Sequence, residues 1–152
     1  MTTSGTPRDE ASEGIVIVAD SGSGTFTQRI TAGHHELVSD EPRPIGDDEG
    51  PTPYDLLLAA LGSCTSMTVR MYANRRDWPL EQVRVTLRHS RIHAEDCADC
   101  ETRIGLIDHI DLDLELIGDL DAEQRQRLLL IAGRCPVHQT LTSEVRIATT
   151  LR

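Results

Sequence analysis

The chain carries four cysteines, and their surroundings differ. Cys64 follows the apolar run Leu56-Leu57-Leu58-Ala59-Ala60-Leu61-Gly62-Ser63, whereas Cys135 stands before Pro136 in Arg134-Cys135-Pro136-Val137-His138. A thiolate can attack an oxidant, and a second cysteine within reach can close a disulfide on the oxidised sulfur; that is the minimum for a thiol redox enzyme. Neither residue lies in a Cys-x-x-Cys, so spacing alone leaves their pairing open. A mid-helix thiol gains little from the helix dipole, so Cys64 needs a cation or hydrogen-bond donors for activation. His138 follows Cys135 by three residues, on the same side of a helical turn, where it either donates to a thiolate or fills a polar niche. Cys135 is expected to be exposed by the chain break at Pro136.

A second constellation is His89, His93, Cys97 and Cys100, two imidazoles and two thiols in the donor set of a tetrahedral zinc site. Asp96, Asp99 and Glu101 crowd the same segment with negative charge. Zinc, a second dithiol acting as an electron relay, and an exposed acidic loop without chemistry all stay open.

Composition narrows the classes. Fifteen Lys and Arg against twenty-five Asp and Glu give a net charge of −10, which repels a phosphate backbone and argues against nucleic acid as a partner. No apolar run reaches the length of a membrane span, and the first fourteen residues lack the basic start and apolar stretch of a signal peptide. A cytoplasmic location is therefore expected, without a membrane partner, and in that compartment cysteines serve redox chemistry, metals or packing before structural disulfides. With 3% aromatic residues, aliphatic side chains must form the core.

The positioning elements follow from local pattern. Residues 1–14 lack periodicity and are expected to form a disordered tail ahead of one domain over 15–152. Residues 14–18, 25–30 and 35–38 read as strands, the first two joined by the turn at 20–24, and residues 40–51 read as a loop. From Pro53 a helical period appears, with Leu57, Leu61, Cys64, Met67 and Met71 on one apolar face, ended by Trp78-Pro79. Residues 83–89 and 107–116 alternate as half-buried strands. Asp121 or Asp119 caps a second helix with Leu128, Ile131 and Ala132 inward, interrupted at Cys135-Pro136. Residues 144–151 read as a last strand. The class is α+β with mostly antiparallel pairing.

GPTPYDLLLAALGSCTSMTVRMYA, followed about seventy residues later by AGRCPVHQTL, resembles the OsmC/Ohr family of osmotically inducible and organic-hydroperoxide-resistance proteins, in its branch with CPVH at the second cysteine. The resemblance implies an OsmC-like fold, with antiparallel sheets wrapped around two central helices in an intertwined homodimer. It also implies a thiol-dependent peroxidase without a cofactor or catalytic metal. Cys64 would become a sulfenic acid, Cys135 would resolve it to a disulfide, and a dithiol would reduce that. The alkyl part of the hydroperoxide would lie against Leu57, Leu61 and Met67. Members of the family activate the thiol with an arginine from an early turn and a glutamate near the helix start. Here Tyr54 holds the glutamate position and the turn at 20–24 has no arginine. Asp55 and Arg29 are the nearest substitutes, with Arg43 behind them. That departure keeps an alternative in play: a non-catalytic redox- or metal-responsive binding protein on the same fold.

Overall fold

A computed structural model describes residues 14–152, so the tail expected over 1–14 falls almost wholly outside the described residues. The chain forms two compact units that divide at Leu56/Leu57. In the first, β1 (Val16–Asp20), β2 (Gln28–Ala32) and β3 (His35–Ser39) pair as an antiparallel meander, with Ile17 opposite Thr31 and Ile30 opposite Leu37. The β1–β2 hairpin matches the pattern of the sequence. Its strands are shifted two to three residues toward the C-terminus because the Gly22 and Gly24 turn, with positive φ, fixes the register.

The loop after β3 is organised by one buried carboxylate. Asp40 accepts hydrogen bonds from the Glu41, Asp47 and Glu49 amides and from the Thr27 hydroxyl. Burial pushes its pKa up, but these donors outweigh burial and hold it below the usual carboxylate value. A segment without strand or helix thereby satisfies its backbone groups. The Arg43–Pro44 peptide within it is cis.

Helix α1 (Pro53–Arg75) starts at the end of the first unit and continues through the second. Thr52 and Asp55 cap it reciprocally: Asp55 Oδ2 accepts from the Thr52 amide and hydroxyl at 3.0 and 2.8 Å, and Thr52 Oγ1 accepts from the Asp55 amide at 3.1 Å. At the other end Asp77 takes a left-handed conformation, and the Trp78 amide donates back to the Ala73 carbonyl in a Schellman closure. By length and mean hydropathy (1.2) α1 is long and apolar enough to cross a membrane, contrary to the sequence expectation that no such run exists. Val69 and Ala73 pack into the core of the second unit, while other apolar side chains of the helix, Met67 and Met71 among them, stay exposed.

In the second unit β4 (Leu80–His93) and β5 (Leu106–Gly118) form a long antiparallel hairpin. One face sets Val83, Val85 and Leu87 opposite Leu116, Leu114 and Leu112, while the other sets Arg84 and Arg88 opposite Glu115 and Asp111. The core gathers Val69, Ala73, Leu80, Leu120, Leu128 and Ala132, with α2 (Ala122–Ala132) capped by Asp121 as expected. Arg125 reaches back from α2 to donate to the Leu116, Gly118 and Leu120 carbonyls, fixing the helix to the end of β5. The chain then breaks at residues 133–135 and resumes as α3 (Pro136–Leu141). The strand expected over 144–151 does not form. Its alternating Val145 and Ile147 are exposed, and among the described residues it has no neighbouring strand to take its backbone hydrogen bonds.

Candidate thiol site

Thr65, Val69 and Ala73 form the most deeply buried line of α1, flanked by Leu61 and Gly62. The apolar face expected from Leu57, Leu61, Cys64, Met67 and Met71 is centred roughly 140° around the helix from this line, at about 100° per residue. Met67 and Met71 are 67% and 51% exposed, and Leu57 is only partly covered. Leu61 alone of the three expected substrate contacts is buried. The reason is steric. Gly62 lies against β4, where an added Cβ would come within 2.7 Å of Leu87 Cδ1, so the small side of the helix, rather than its most apolar side, meets the sheet.

This rotation puts Cys64 at the margin of the buried face, half-exposed, and its neighbour Thr65 fully inside. Cys135 arrives from the other end of the unit. It is the N-cap of α3, where Pro136 supplies the first helical position and the Cys135 sulfur accepts from the His138 amide at 3.3 Å. The sulfur is also 3.5 Å from Thr65 Oγ1. The expectation of an exposed Cys135 is thus corrected: the residue is completely buried, because the cap geometry turns its side chain toward Thr65. Burial alone pushes the Cys135 thiol up. Hydrogen bonds from the Thr65 hydroxyl, the His138 amide, the Cys64 side chain and the Val137 amide outweigh it, and the net shift is downward. Cys64 and Cys135, distant in sequence, are brought to one site, since the Cys135 sulfur meets Thr65, the residue next to Cys64, and both are free thiols. His138 contributes through its backbone N–H.

Asp55 and Arg29 belong to the first unit. The Thr52 hydroxyl and amide hold the Asp55 carboxyl below the usual carboxylate value, both bonding to Oδ2. Arg29 and Arg43 line a groove of about 700 Å³ beside Asp47 and Glu49. Among the described residues no guanidinium hydrogen-bonds either free sulfur.

The His89, His93, Cys97 and Cys100 set does not gather. Cys97 and Cys100 are joined by a disulfide, His89 Nε2 pairs with Asp108 at 2.9 Å, and His93 is exposed. Among the described residues no group of three or more His, Cys, Asp or Glu could hold a metal ion.

Residues 46–150 match the family model described as OsmC-like protein, well over half of the chain and spanning both free cysteines. The chain belongs to the OsmC-like family. A comparison with curated proteins returns no match. Solved OsmC-like structures share the fold at low identity. An OsmC-like protein from Mycoplasma pneumoniae is 19% identical with a TM-score of 0.64, over 84% of this chain and 85% of that one. An organic hydroperoxide resistance protein OsmC from Legionella pneumophila is 23% identical with a TM-score of 0.59, over 84% and 88%. An organic hydroperoxide resistance protein from Elizabethkingia anophelis is 16% identical with a TM-score of 0.60, over 84% and 86%. The α+β class with antiparallel sheets is that of the OsmC-like fold. Within it, Thr65 is the site residue that sequence reasoning passed over. Its signal was the adjacency to Cys64 on a helix: one residue along from a site-facing position is the position that faces the core.

Proposed function

We propose that this OsmC-like protein is a thiol-dependent peroxidase for organic hydroperoxides. The observation that carries the reading is that the buried Cys135 sulfur lies 3.5 Å from Thr65 Oγ1, beside the partly exposed Cys64 on α1, with both thiols free. In the first step the Cys64 thiolate attacks the distal oxygen of ROOH. The O–O bond breaks, Cys64 becomes a sulfenic acid, and RO⁻ takes a proton to leave as ROH. In the second, Cys135 attacks the Cys64 sulfur, the S–O bond breaks, and hydroxide leaves as water once protonated. A dithiol then returns two electrons and two protons by exchange. Leu57, Leu61 and Met67 on the Cys64 side of α1 suit an alkyl group, whose burial contributes about 0.8 kcal/mol per methylene and favours organic over hydrogen peroxide. The reading includes a homodimer, whose second subunit would cover the exposed methionine face, and a cytoplasmic setting where dithiol reductants are abundant.

Two observations favour a second reading, a non-catalytic redox-responsive binding protein: Asp55 is engaged in the helix cap, and among the described residues no guanidinium hydrogen-bonds either free thiol. Stopped-flow mixing of reduced protein with an alkyl hydroperoxide, followed by thiol counting and peptide mapping, separates the two. The peroxidase loses two thiols in a rapid phase and yields a Cys64–Cys135 peptide, and Cys135→Ser accumulates a dimedone-reactive Cys64. Both thiols surviving excess hydroperoxide would select the binding protein.

A further inference from the structure

The tip of the β4–β5 hairpin holds a second pair of cysteines that the thiol site does not use. Cys97 and Cys100 are disulfide-bonded while Cys64 and Cys135 are free, so the same unit carries one closed and one open pair. The closed pair does not hold the tip together. The ladder continues to His93 opposite Leu106, and beyond it the Ala94 amide donates to the Gly105 carbonyl at 2.8 Å with Ala94 buried. A bridge between residues three apart inside a neck that is already closed constrains the unfolded chain as little as a disulfide can. Both half-cystines are partly accessible, and the segment around them is ringed by exposed Glu95, Asp96, Asp99 and Glu101 against a single Arg103.

The tip is also remote from the first pair. Leu87 of β4 packs at Gly62, two residues from Cys64, and His93 lies six residues further along the strand. At about 3.4 Å per residue that is about 20 Å, too far for direct exchange within one chain.

We propose that Cys97–Cys100 is a second, independent thiol–disulfide exchange site, reduced by a dithiol presented on a positively charged surface. A thiolate of that donor attacks one sulfur, the Cys97–Cys100 bond breaks, and the released cysteine takes a proton. The donor's second thiol then attacks the mixed disulfide, so two electrons and two protons pass to Cys97 and Cys100 while the donor leaves as its own disulfide. The four carboxylates repel an anionic thiol such as glutathione and attract a cationic one, and salt screens both effects.

The test uses the full-length Cys64→Ser/Cys135→Ser variant, with peptide mapping of the wild type alongside in case the variant folds poorly. Purified without reductant, it is expected to show no alkylatable thiol by mass spectrometry, two after dithiothreitol, and none again after oxidised glutathione. Corrected for thiolate concentration, cysteamine is expected to open the pair several-fold faster than glutathione at low salt, with the difference vanishing in high salt. Two freely alkylatable thiols before reduction, or stoichiometric zinc released by a thiol reagent, overturn the redox site. Glutathione matching cysteamine at low salt overturns the charged donor. None of these readouts involves hydroperoxide, so the outcome is independent of the fate of Cys64.

Discussion

Thr65 Oγ1 lies 3.5 Å from Cys135 Sγ, both residues completely buried, and of the donors around that sulfur it does most to bring the Cys135 thiol down against the effect of burial. Thr65→Val keeps the shape and removes the donor. The alkylation profile of Cys135 is therefore expected to move to higher pH, while Thr65→Ser restores it; a purely structural role would leave the profile in place. A depressed thiol pKa contributes stability that is fully present above the unfolded thiol value, roughly 8.5, and is lost as pH falls through the folded value. Wild type should accordingly gain stability relative to Thr65→Val between those two pH values, as urea unfolding across that range would show.

Gly62→Ala sets two effects against each other. Alanine in a helix interior gains about 1 kcal/mol over glycine. The new Cβ, however, would stand 2.7 Å from Leu87 Cδ1 in a packed interface, and overpacking costs about 1–3 kcal/mol. Net destabilisation is expected, with Gly62→Ala/Leu87→Val recovering most of it in thermal unfolding. Equal midpoints for the single and double variants would mean that Leu87 rotates away without cost.

The helix cap offers a test of Asp55. Thr52→Ala should cost about 1 kcal/mol as the loss of an N-cap. Asp55→Asn should lower stability in the same direction and leave the rate of Cys64 oxidation unchanged. Because the Asp55 carboxyl is held below its usual value, its contribution is present above the unfolded carboxylate pKa and fades as pH falls through the folded one. A large fall in oxidation rate in Asp55→Asn, with stability unaltered, would give Asp55 a part in the active site.

Met67 and Met71 leave a strongly exposed apolar stripe on α1, and such a stripe asks for a partner. Sedimentation is expected to report a dimer for wild type and a smaller species for Met67→Lys/Met71→Lys. A wild-type monomer at micromolar concentration would remove the homodimer from the proposal.

Much of this protein was legible along the chain. The order of strands and helices, the Asp121 cap, the break at Pro136 and the inward Leu128, Ile131 and Ala132 all depend on residues within a few positions of one another, and local propensity and periodicity carry that information. What tertiary structure alone decided was orientation and pairing. Which side of α1 faces inward was set by the fit of Gly62 against Leu87, a contact between elements that hydrophobic periodicity does not encode, and so Thr65 rather than Cys64 became the buried residue. The burial of Cys135 came from the same source, since the thiol turns inward only because Thr65 and the His138 amide meet it there. The alternating stretch at 144–151 has the composition of a strand but no edge beside it among the described residues, and a strand exists only with a neighbour to bond.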